Sequence, residues 1–107
     1  MKYLDYTIDE LKVHLEAQFS LPENLDKDGN IWMSWKNHGN YNKHTWNDND
    51  PSTWTWQIDH IVPQADFNFI SMEDPEFKKC WALNNLRPLS AKQNIKEGAR
   101  RTGNDKK

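Results

Sequence analysis

The sequence holds a single cysteine, Cys80, in 107 residues. No disulfide can form within the chain, and no cysteine-rich zinc knuckle can staple it, so any structural zinc of that kind is excluded. It also lacks an apolar run of the roughly 20 residues that a bilayer-spanning helix needs. The stretch from Met1 to Ser20 is charged and amphipathic and does not read as a secretory signal, so an intracellular compartment is expected. Apolar residues make up only 36% of the chain, which leaves material for one modest core. A large catalytic architecture is ruled out at this length, and any chemistry must come from a small site grafted on a small domain. An excess of positive charge is missing too: the formal net charge is −2, against the basic balance of a simple nucleic-acid binder.

Aromatic residues and an uneven charge distribution offset these shortages. Six Trp, three Tyr and four Phe bury large areas per residue and make the chain globular rather than disordered. From Arg87 to Lys107 there are seven basic and two acidic side chains, whereas Met1 to Leu86 carries seven basic and fourteen acidic. The C-terminal part is therefore the candidate face for an anionic partner.

Local signals give the elements. Thr7-Ile8-Asp9-Glu10 is a capping box, and Ile8, Leu11, Leu15 and Phe19 recur at helical spacing, which predicts an amphipathic helix ending near Phe19 and covering the core. Leu21 to Asn30 reads as a loop with a turn at Asp28-Gly29. Ile31 to Trp35 is apolar and aromatic, and suits core packing better than base stacking. The polar segment from Tyr41 to Thr53 has no assignable element; its Asp and Asn cluster lacks the spacing and terminal Glu of a calcium loop. A strand is expected over about Thr55 to Val62, ended by Pro63. Asp74-Pro75 predicts a short inserted helix carrying Phe77, Cys80 and Trp81. A second strand is expected at Leu86 to Leu89. Ser90-Ala91-Lys92-Gln93 has the form of another capping box, so a final helix starts near Ala91 with Gly98 near its end. The tail from Thr102 to Lys107 is expected to be disordered.

The chemistry concentrates between Trp56 and Gly98. Asp59 beside His60 supplies a hard oxygen ligand and an imidazole that titrates near neutrality, a pair suited to a divalent metal and a general base. Strict strand alternation would send the two to opposite faces, so sharing one site requires the strand to end, twist or bulge there. Asn94, in the first turns of the final helix, adds a carboxamide oxygen. One Asp, one Asn and one His make a minimal site for one Mg²⁺. Asn85, counted with His60 in the catalytic set, is expected to lock its loop through side-chain bonds to backbone, a structural role that also shapes the site. Arg87, Lys92, Lys96, Arg100 and Arg101 are candidates for phosphate contacts, although each alone reads equally as part of a solvated face.

Asp59-His60, then Asn85 in Asn-Leu-Arg-Pro-Leu, then Asn94 nine positions later, resembles the HNH endonuclease motif in its variant with Asn in place of the last His. The likeness extends to Met33 to Gly39 and to the N-terminal helix, features of small phage and bacterial HNH proteins. It implies an α+β fold with a ββα-metal core, an additional N-terminal helix and a short inserted helix, as one domain over residues 1–101. It implies metal-dependent hydrolysis of DNA phosphodiesters in the cytoplasm of a bacterial or phage-infected cell, with His60 as general base and Asp59 and Asn94 holding one Mg²⁺ or similar ion. Glu97 departs from the pattern, since family members often carry Lys there. The alternatives are a catalytically silent nucleic-acid module on the same fold and a protein-interaction subunit of a larger assembly. The acidic first part of the chain favours the latter, or delivery by a partner.

Overall fold

In a computed structural model the described residues are 4–101, with side chains as far as Gly98; the tail expectation for 102–107 lies outside them. Two short antiparallel strands, β1 (Trp56–His60) and β2 (Leu86–Ser90), lie between an N-terminal helix, α1 (Ile8–Gln18), and a C-terminal helix, α3 (Ala91–Arg101). A third helix, α2 (Pro75–Cys80), sits in the excursion between the strands. The fold is small and mixed α+β.

α1 forms where its cap dictates. Thr7 Oγ1 accepts from the Glu10 amide at 3.1 Å and Glu10 Oε1 accepts from the Thr7 amide at 2.8 Å, which satisfies two donors that a helix start would otherwise leave open. The helix buries Leu15, and Phe19 at its C-cap is buried with it. His14 Nε2 reaches the Leu86 carbonyl at 2.8 Å and ties the helix to β2. The following loop turns at Gly29, whose φ of 81° is a conformation that L side chains rarely adopt.

The strands pair Trp56 with Ser90, Ile58 with Pro88, Asp59 with Arg87 and His60 with Leu86. Cross-strand partners share a face, so the sheet has two different sides. Trp56 and Ile58 point towards α1, where Trp56, Leu15, Phe19 and Met33 form the core. Phe19 and Trp35 meet the Trp56 ring edge-on at 5.1 and 5.2 Å between centroids. Gln57 and Asp59 point towards α3.

Several boundaries differ from expectation for identifiable reasons. β1 begins at Trp56, where α3 starts on the partner side at Ala91; the Ala91 amide still donates to the Thr55 carbonyl at 2.9 Å, and Pro51–Thr53 is a single 3-10 turn. β2 runs one residue further, to Ser90. Ser90 Oγ accepts from the Gln93 amide at 3.3 Å, but the Gln93 side chain turns to Glu97 at 3.0 Å instead of closing a capping box. Gly98 lies inside α3, which continues to Arg101. Of the aromatic 31–35 segment only Met33 is buried; Ile31 is 59% exposed and Trp35 37%.

Candidate active site

Asp59 is held by the sheet and then by charge. It is 3% exposed, and Arg87, its cross-strand partner, donates from Nε to Asp59 Oδ2 at 2.8 Å. The same guanidinium reaches Glu97 Oε1 from Nη2 at 3.3 Å, so Arg87 bridges two carboxylates, one from β1 and one from α3. One helical turn earlier, Asn94 donates from Nδ2 to Gln57 Oε1 at 2.9 Å. Gln57 precedes Asp59 by two residues and so shares its face. The face between β1 and α3 thus carries two carboxylates, two carboxamides and one guanidinium. Asn94 commits its nitrogen to Gln57, not the oxygen that a cation would use.

These donors fit a hard divalent cation. Carboxylate and amide oxygens are what Mg²⁺ accepts, but the Arg87 guanidinium already bonds Asp59 and Glu97, and a cation would have to use their remaining oxygens or displace it. Among the described residues no three His, Cys, Asp or Glu side chains converge, so the amides of Asn94 and Gln57 would have to complete the ligand set.

His60 takes the other face. It is 9% exposed, and Trp81 stands edge-on to its ring at 4.3 Å between centroids. Gln64 Nε2 lies 3.4 Å from His60 Nδ1, whereas the buried Nε2 has no hydrogen-bond partner. Burial pushes the imidazole pKa below its usual value, against the opposing pull of the Asp59 carboxylate, which favours the neutral ring. There is no bulge: β1 ends at His60, and the Ile61 amide donates to the Asn85 carbonyl at 2.8 Å. Asp59 and His60 therefore flank the end of the strand from opposite sides.

Asn85 joins the two strands beyond the ladder. Its Oδ1 accepts from the Val62 amide at 2.7 Å, and its Nδ2 donates to the carbonyls of Val62 at 3.1 Å and Cys80 at 2.8 Å. It is 7% exposed and touches neither Asp59 nor Asn94 by hydrogen bond. Its place is in positioning the strand end and α2.

The candidate phosphate contacts separate. Arg87 belongs to the carboxylate network. Lys92 is engaged by Asp48, with Nζ at 2.7 and 2.8 Å from its two oxygens. Lys96 is exposed on α3. The side chains of Arg100 and Arg101 lie outside the described residues. Glu97, Gln57, Gln64 and Trp81 were not among the expected site residues. For Gln57 and Glu97 a signal existed: each stands two or three positions from a candidate ligand, on the same strand or helix face. For Gln64 and Trp81 there was none, because both reach His60 only through the folded excursion.

Comparison with known proteins adds one relative. The chain is 30% identical over 93 residues to an uncharacterized protein of Acanthamoeba polyphaga mimivirus, a match that covers 87% of this chain and 30% of the mimivirus protein. No family model matches, and no solved structure matches.

Proposed function

We propose that the protein is a metal-dependent endonuclease of the HNH type, built on a ββα-metal core of β1, β2 and α3, that hydrolyses DNA phosphodiesters. The observation that carries this reading is the buried, unpartnered Nε2 of a neutral His60, directly beside a buried Asp59 whose face is shared by Asn94. The order β1, β2, α3, with α3 following β2 without a break, supports it.

In this reading the substrate phosphate lies across the end of β1, with Asp59 on one side and His60 on the other. A divalent ion held by Asp59 and Asn94 would supply charge stabilisation at the phosphoryl oxygens. Neutral His60 takes a proton from the attacking water at Nε2. That role needs the tautomer with its proton on Nδ1; Gln64 turns its Nε2 to Nδ1 and so favours the other tautomer, and the base role requires the Gln64 carboxamide to turn its oxygen to that nitrogen. Because Nε2 is enclosed, water reaches it only after a local rearrangement around the ring. Arg87, bonded to Asp59 and Glu97, holds the two carboxylates in place. Asn85 keeps the strand end in place.

The test is incubation with supercoiled plasmid in Mg²⁺, Mn²⁺ or EDTA. Open-circle or linear product should form only with metal. His60→Ala should lower the rate by about 10²- to 10⁴-fold, the usual contribution of a general base, and Asp59→Ala should raise the metal concentration required. Cleavage at the parent rate by both variants would refute the site. A silent module that kept the fold is the second reading, favoured by one observation: Arg87 already occupies the Asp59 carboxylate. It predicts DNA binding with no cleavage in any metal by the folded protein.

A further inference from the structure

Trp46 of the 41–53 segment, opaque in sequence, joins Trp54 and Trp32 in an aromatic wall. Trp46 and Trp54 stack with centroids 5.9 Å apart and planes 11° from parallel, and Trp32 meets Trp54 edge-on at 5.1 Å. Both stacked indoles are pinned, since Trp46 Nε1 donates to Asp48 Oδ1 at 2.8 Å and Trp54 Nε1 to the Asn47 carbonyl at 2.8 Å. Asp48 also holds Lys92, which fastens the wall to the start of α3. Between wall and helix lies a cavity of about 470 Å³ bordered by these three Trp side chains, Lys92, Gln93 and Lys96. A narrower cavity of about 120 Å³ lies beside it, sharing Glu23, Asn24, Leu89 and Gln93, and is bordered by Arg87. The trough beside the rigid aromatic patch therefore has as its neighbour a cavity bordered by the carboxylate-bound arginine of the candidate active site.

We infer that this trough binds an unpaired nucleic-acid strand, with a base against the tryptophans and a phosphate at Lys96; the inference rests on the nuclease reading and adds the form of its substrate. Three half-buried indoles, two of them fixed by their own N–H bonds, offer π surface at little ordering cost, and stacking tolerates any base. The cavity has room for a nucleotide and none for a duplex about 20 Å across. Glu23 and Asp48 also border it and offset the lysines, which disfavours the dense charge of a duplex and leaves stacking as the main attraction.

Binding is measured in EDTA, so that it is independent of cleavage, by quenching of tryptophan fluorescence and by anisotropy of labelled 12-nucleotide single-stranded DNA, its RNA counterpart and the matching DNA duplex. The single strands should bind more tightly than the duplex. Trp54→Ala should weaken single-strand binding by about 10-fold, within the range for loss of one stacked base. Exposed Lys96→Gln should lower the slope of log K against log salt by about 0.7, the loss of one phosphate contact, and this variant decides the matter if Trp54→Ala fails to fold. Duplex binding as tight as single-strand binding, or single-strand binding unchanged in the Lys96 variant, would overturn the inference. Strand binding that depends on Trp54 and Lys96, in a protein that never cuts plasmid, would uphold the trough while the nuclease reading fails.

Discussion

The two faces of one small sheet have opposite chemistry. Towards α1, Trp56 is fully buried and packs with Leu15, Phe19 and Met33; towards α3, Asp59 is almost as deeply buried but is surrounded by Arg87, Glu97, Gln57 and Asn94. Burial of apolar area stabilises the first face, at about 25 cal/mol per Å². The second must recover the desolvation of its charges through bonds between them, which is close to neutral at best. A protein of 107 residues that gives half of its sheet to such a network is holding polar groups in place at the expense of core.

Substitutions can sharpen or break this contrast. Trp56→Ala, on the apolar face, should cost the most, about 3–5 kcal/mol, read as a shift of the urea midpoint. Asp59→Asn, on the polar face, should cost less, about 1–2 kcal/mol, because Arg87 keeps Glu97 and is itself partly solvated. An equal or larger loss for Asp59→Asn would mean that the polar face is structural after all, and would weaken the case for a site there. Thr7→Ala touches neither face and removes only the α1 cap; about 1 kcal/mol by thermal unfolding is expected, with no change in strand binding.

What could be read from sequence was what is local. The Thr7–Glu10 box and the Asp74-Pro75 start of α2 are bonds within four residues, and both formed as their residue types require. The apolar alternation of Trp56 and Ile58 gave β1 and its core face. The polar network was only half legible. Asp59 and Asn94 stood out by type, but that Arg87 would face Asp59 depends on a register fixed across the excursion between the strands, 28 residues apart. The aromatic wall was not legible, because Asp48 meets Lys92 across 44 residues and nothing in the polar 41–53 composition announces that partner. Lys92 likewise read as a phosphate contact, since only the fold shows that its charge is already matched.

The side chain of Asn85 has a consequence of another kind. By receiving from one amide and donating to one carbonyl of Val62, it acts as a peptide group would and adds a rung to the ladder after the strands have ended. The residues from 63 to 84 are thereby a ring closed by the Asn85 carboxamide together with the Ile61 amide bond to the Asn85 carbonyl. Once that clasp is shut, the ring's length enters the free energy only logarithmically, so inserting or deleting residues at the exposed Ser71–Glu73 tip changes the closure entropy by a few tenths of a kcal/mol. That ring can be rebuilt freely at its far side, provided Asn85 and the two backbone strands it joins are left alone.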